Sequence, residues 1–164
     1  MRLRQSALAI GLLWGTNVVA QVFTSGQSAG PLPPAWKSCA VQMISVFENE
    51  STSLKYDYIE NLHDGRGYTA GPYGFSVADG DLLQVVEVYD AMRPDNVLSS
   101  FIPTLKEVRE TASTREISTR GLEALPEAWK KAASDPRFRQ AQDQVSDKLY
   151  YAPAMRAADD LRSN

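Results

Sequence analysis

His63-Asp64-Gly65-Arg66-Gly67-Tyr68-Thr69 joins two extended pieces in a chain that otherwise reads as helices. Before it, Tyr56-Asp57-Tyr58-Ile59-Glu60-Asn61 is a short aromatic, alternating run; after Asp64-Gly65, Gly67-Tyr68-Thr69 begins a second extended piece. An Asp-Gly pair between two such runs is a strong hairpin signal. The expectation is a small sheet with Asp64 at its tip. There its carboxyl is solvated and flanked by the Arg66 guanidinium, which favours the ionised form suited to a general base. Aspartate also favours turns for backbone reasons alone, so the position by itself does not specify chemistry.

Upstream, Trp36, Cys39, Ala40, Met43, Ile44 and Phe47 recur at helical spacing and predict a helix with one apolar stripe. Its last residues, Ser45-Val46-Phe47-Glu48-Asn49, put Glu48 at the edge of the stripe and sixteen residues before Asp64. A carboxyl held against an apolar surface, near the negative end of a helix dipole, resists ionisation. Its pKa is expected to rise, which keeps a proton available for donation. An ordinary solvated glutamate in a last helical turn is the plainer alternative. Two carboxyls in such unlike settings point to a hydrolase of glycosidic bonds.

Downstream the chain turns helical. Asp79-Gly80-Asp81 can cap a helix carrying Leu82, Leu83, Val85, Val86, Tyr89 and Met92 and ended by Pro94. One or two short helices follow around Pro103, then a polar stretch from Thr111 to Arg120. A helix around Trp129 leads to Asp135-Pro136, where an N-cap and an N1 proline open the next. Phe138, Ala141, Val145 and Leu149 carry that helix to Pro153, and a last amphipathic piece holds Met155, Ala158 and Leu161. These stripes read as core, with no cofactor motif among them.

At 164 residues and 43% hydrophobic content, the chain suits one domain with a core that needs no disulfide. Met1-Arg2-Leu3-Arg4, the apolar run from Ala7 to Val19 and the small-residue site before Gln21 make residues 1–20 an expected secretory signal. That run is too short, and too interrupted by Gly15-Thr16-Asn17, to be a membrane span. Residues 21–34 read as a flexible leader and 35–164 as the folded domain. Because Arg2 and Arg4 lie in the signal, the whole-chain charge of −3 becomes −5 in the remainder. An acidic secreted protein suits neither nucleic acid nor an anionic membrane, and does suit a cationic polymer. The single cysteine, Cys39, closes no internal disulfide, lies on the apolar stripe and is expected to be buried.

Taken together, Ser45-Val46-Phe47-Glu48-Asn49, Tyr58-Ile59-Glu60, Asp64-Gly65-Arg66-Gly67-Tyr68-Thr69, Gly74-Phe75 and Gly80-Asp81 resemble the N-terminal half of the family 46 glycoside hydrolases, the endo-acting chitosanases. The similarity continues through Trp129-Lys130-Lys131-Ala132-Ala133 and Phe138-Arg139-Gln140-Ala141-Gln142-Asp143 and covers nearly all of the chain after the signal. It implies a mainly α (α+β), lysozyme-like fold with a small β-sheet beside the cleft. It further implies Glu48 as general acid, Asp64 as general base, and Thr69 as the residue that helps hold the attacking water. Tyr58, Arg66 and Asp81 match residues that bind the sugar chain, and Asp57, Glu60 and Asp81 are candidates to pair with glucosaminium groups. The implied reaction inverts the anomeric carbon without a metal or organic cofactor. Its partner is chitosan or partially acetylated chitosan oligosaccharides, and the location is extracellular.

His63 and Ser76 depart from the family pattern, standing where a glycine and a cysteine are expected. The chain is also shorter than the catalytic domains it resembles, so a C-terminally truncated product with an incomplete second lobe is expected. Two alternatives follow: an inactive homologue that only binds cationic polysaccharide, and a related glycosidase for another amino-sugar polymer.

Overall fold

The computed structural model describes residues 33–49, 52–111 and 117–163; the expected signal and most of the leader lie outside the described residues. Helix α1 spans Pro34–Asn49. Three short strands follow, β1 Ile59–Asn61, β2 Tyr68–Ala70 and β3 Phe75–Ser76, in one antiparallel sheet of that order. The remainder is helical: α2 Asp81–Met92, α3 Ile102–Thr111, α4 Leu125–Ala132, α5 Pro136–Ser146 and α6 Ala152–Ser163. Among the described residues no helix is long and apolar enough to cross a membrane.

The expected hairpin is present, with β1 and β2 paired from Ile59 opposite Ala70 to Asn61 opposite Tyr68. Its connection is longer than a two-residue turn, running from Leu62 to Gly67. The reason is local: His63, Gly65 and Gly67 all have positive φ, which carries the chain through a wide reversal. His63, with φ 53°, thus occupies a conformation that glycine adopts more easily. That is the physical meaning of its departure from the expected glycine.

Where α2 and α5 cross, the core is dense. Trp129 of α4, Tyr89 of α2 and Phe138 of α5 are all fully buried. The rings of Trp129 and Phe138 meet edge to face at 4.8 Å, and Tyr89 meets Phe138 at 5.0 Å. Each such side chain contributes roughly 1.5–3 kcal/mol by leaving water. The Trp129 indole N–H donates to the Tyr56 carbonyl at 3.0 Å, and the buried Gln142 amide donates to the same oxygen at 3.1 Å. One carbonyl therefore fastens the segment before β1 to both α4 and α5. Gly71, just after β2, lets α5 approach, since a Cβ there would collide with the Gln142 side-chain oxygen.

As the sequence suggests, Asp135 caps α5, its carboxylate accepting from the Arg137 amide at 2.9 Å. The same carboxylate takes the Arg93 guanidinium at 2.7 Å and the Tyr89 hydroxyl at 3.1 Å, tying α2 to α5. Pro153 does not end a helix as expected. Asp147–Tyr151 forms a π-helical turn that carries α5 into α6, leaving Pro153 in the first turn of α6. A wide turn there accommodates a residue that has no N–H to give.

The described part of the apolar stripe of α1 is not core. Trp36 is 68% exposed, and Met43, Cys39 and Ala40 are exposed as well. Among the described residues, contacts to the helix come from its polar flank. There Lys37 pairs with Asp147 and lies over the Tyr151 ring at 4.7 Å. Leu161 of α6, also expected in the core, is 82% exposed. Burial of Cys39 is likewise overturned, because helical spacing defines a face without stating what packs on it.

Candidate functional site

The Asp64 carboxylate is organised by its own turn. One oxygen accepts the Arg66 amide at 3.1 Å; the other accepts Nε and Nη2 of the Arg66 guanidinium at 2.8 and 2.7 Å. A two-pronged guanidinium contact fixes orientation as well as charge. The hydrogen bonds from Arg66 hold the Asp64 carboxyl below the usual carboxylate range. Asp64 and Arg66 are both exposed. The site thus presents an ionised carboxylate to solvent on a fixed mount.

Behind this turn lies Thr69, paired with Glu60 of β1 and Ser76 of β3. Its hydroxyl is buried and has no hydrogen-bond partner among the described protein atoms. Such a group ordinarily finds a partner, and water serves where no side chain does. Glu60 is exposed on the adjacent strand and accepts the Tyr58 hydroxyl at 3.1 Å; burial, followed by this contact, raises the Tyr58 pKa.

Asp81 has a different setting. Only 3% exposed, it accepts the Ser76 amide at 2.7 Å and the Leu82 amide at 2.8 Å on one oxygen and the Tyr150 hydroxyl on the other. It therefore joins β3 to the start of α2 and reaches across to the π turn. The helix starts within Asp79-Gly80-Asp81, as its sequence suggests: Gly80, with φ 74°, is the N-cap of α2 without a side-chain cap, and Asp79 takes the Ser76 hydroxyl at 2.6 Å. Ser76, where a cysteine is expected, uses that hydroxyl to close the turn. An ammonium approaching Asp81 has to compete with the Tyr150 phenol, whose ring stacks on Phe75 at 6.3 Å. Burial, then Asp81, raises the Tyr150 pKa.

Asp57 stands apart from the Asp64 turn. It lines a cavity of about 290 Å³ with Tyr56, Lys130 and Arg139 on the side of α4 and α5. A second cavity, of about 530 Å³, lies between α1 and α5 and is lined by Lys37, Tyr56, Tyr73, Asp143 and Asp147 among others. There the Tyr56 and Tyr73 hydroxyls both donate to one Asp143 oxygen, at 2.9 and 2.8 Å. Burial and then Asp143 drive both phenol pKa values upward. Neither cavity includes Asp64 or Thr69. Among the described residues, no group of three metal-ligating side chains comes together.

Glu48 falls in the final turn of α1, as its sequence position suggests. Its side chain lies outside the described residues, as do those of Ile44 and Phe47. Sequence reasoning missed the partners that reach these residues from far along the chain: Tyr150 for Asp81, and Ile117, whose amide donates to the Gly65 carbonyl at 2.9 Å. No local signal marks either one.

Residues 42–162 match the model of glycosyl hydrolase family 46. The chain is 43% identical over 151 residues to a chitosanase of Bacillus subtilis (strain 168), covering 92% of this chain and 53% of the relative. It is 39% identical over 139 residues to a chitosanase of Streptomyces sp. (strain N174), covering 82% and 49%. Among solved structures it is similar to a Gynuella sunshinyii family 46 chitosanase in complex with chitotetraose. There the TM-score is 0.73 and the identity 43%, with 81% of this chain and 54% of that one covered. A mutant chitosanase from Bacillus subtilis MY002 complexed with 6 GlcN gives a TM-score of 0.73 at 44% identity, covering 80% and 53%. The chain spans about half the length of these relatives. With more than half of its residues in the family match, the chain belongs to glycosyl hydrolase family 46, and its helices and small sheet are those of the family's lysozyme-like fold.

Proposed function

We propose that this chain carries the acid and base of a secreted, endo-acting glycosidase that cleaves β-1,4 links in chitosan with inversion. The observation that carries this reading is the Asp64 turn, an ionised carboxylate on an Arg66 mount, leading directly into β2, whose Thr69 hydroxyl has no partner among the described residues. In an inverting reaction the base draws a proton from water on one face of the sugar while the acid protonates the leaving oxygen on the other. Asp64 takes the first role, with Thr69 holding the water; Glu48 takes the second. Tyr58, Glu60, Arg66 and Asp81 form the wall that receives the sugar, with Asp57 further along. Secretion and a charge of −5 after the signal suit a cationic polymer as substrate. That relatives have been solved with chitotetraose and with 6 GlcN supports the substrate class. No step in this reading calls on a metal or an organic cofactor.

The test is reducing-end release from soluble chitosan by the purified chain beside Glu48→Gln and Asp64→Asn. Each substitution is expected to lower kcat by a factor of about 10²–10⁴ with circular dichroism unchanged, the range for losing a general acid or base. Full activity in either variant removes that residue from the mechanism. A second reading, a non-catalytic binder of cationic polysaccharide, draws on the exposed apolar face of α1, the helix that bears Glu48. Chitosan binding without cleavage by the unsubstituted chain favours it.

A further inference from the structure

We propose that Ile117 is a positioning residue for the Asp64 turn, holding it from outside the hairpin by one backbone hydrogen bond and one side-chain contact. The inference rests on Asp64 as the reaction's base. The Arg66 guanidinium fixes the Asp64 carboxylate within the turn, but it travels with the turn and cannot locate it relative to the rest of the fold. The turn needs that help, because its three positive-φ residues, His63, Gly65 and Gly67, are joined by no strand pairing.

Among the described residues, two attachments come from elsewhere in the chain. The Arg66 carbonyl accepts the Ala78 amide at 3.2 Å, from just beyond β3. The neighbouring Gly65 carbonyl accepts the Ile117 amide at 2.9 Å, from the segment leading to α4. The Ile117 side chain then lies on the turn's far end. A Cβ placed on Gly67 would sit 3.1 Å from Ile117 Cγ2 and 3.3 Å from Val77 Cβ. Gly67 is buried beneath that contact. A β-branched side chain has few rotamers to lose and makes a stiff stop. Adjacent carbonyls are thus held from different parts of the chain, with a methyl group pressed on the glycine two residues on. Misplacing a base by about 1 Å can cost a hundredfold in rate, so a contact that locates the turn is felt in kcat.

The experiment compares Ile117→Ala and Ile117→Val with the unsubstituted chain by amide hydrogen exchange and by chitosan kinetics. Ile117→Ala is expected to speed exchange about tenfold at the Arg66, Ala78 and residue-117 amides while Val85 and Val86 of α2 keep their protection. In the same variant kcat falls about tenfold with KM unchanged, and Ile117→Val restores most of both. Unchanged exchange at Arg66 and Ala78 in Ile117→Ala overturns the proposal; so does unchanged kcat in a chain that is active without the substitution. Loosened exchange in a chain that never cleaves chitosan keeps the turn-holding role and removes the hydrolase reading instead.

Discussion

Two tryptophans, each carried on a helix, have opposite fates. Trp129 of α4 is fully buried against Phe138 and bonded to the Tyr56 carbonyl, whereas Trp36 of α1 is 68% exposed. Both belong to apolar stripes of amphipathic helices. The difference lies in what faces them: α4 meets the crossing of α2 and α5, while among the described residues α1 is held by the Lys37 contacts on its polar flank. Stability in the described residues is therefore concentrated in α2, α4 and α5. Those helices and the Tyr56 carbonyl support the sheet that carries Asp64, and the helix that carries Glu48 draws on other contacts.

The strongest test of this division is Trp129→Ala. Removing a buried indole leaves a cavity, strips the Tyr56 carbonyl of one donor and should destabilise the chain by about 3–5 kcal/mol in urea melts. A loss below about 1 kcal/mol would mean that the α2, α4 and α5 crossing is not the main store of stability.

A smaller effect, with a pH signature, belongs to Asp135. Bonds from the Arg137 amide and the Arg93 side chain lower its pKa from 3.8 to about 2. A folded-state pKa below the ordinary value means that the charged carboxylate stabilises the fold fully above about pH 4. That contribution fades as pH falls through about 2. Asp135→Asn keeps a capping oxygen but loses the charge facing Arg93. It should melt lower than the unsubstituted chain at pH 6, and the gap in Tm should close between pH 4 and 2. A gap independent of pH would show that the cap alone, and not the ion pair between α2 and α5, is what Asp135 supplies.

What the sequence made legible follows the same line between local and distant causes. The Asp135 cap with its N1 proline, the end of α2 before Pro94 and the pairing of Asp64 with Arg66 all depend on neighbours within a few residues. Each was readable because propensity and spacing act locally. The links from Asp81 to Tyr150 and from Asp143 to Tyr56 and Tyr73 join residues 69 to 87 positions apart, and nothing in a linear pattern pairs them. The exposure of Met43 and Leu161 was illegible for a related reason. Periodicity identifies an apolar face but not its neighbour. Pro153 misled because a π turn absorbs the break that a proline usually imposes.

The least effect is expected where the pattern looks most like core. Trp36→Ala removes a large ring from α1, yet the ring stands mostly in solvent, so the change in stability should stay within about 0.5 kcal/mol. The same urea melts that measure Trp129→Ala decide it. If Trp36→Ala instead costs as much as Trp129→Ala, the α1 face is covered in solution and the two tryptophans are alike after all. Should that cost grow with protein concentration, the cover is a second copy of the chain, since association links stability to concentration. A small, concentration-independent cost leaves α1 a helix whose Trp36 contributes little to the stability of this chain, and makes the Lys37 contacts its main described hold on the π turn.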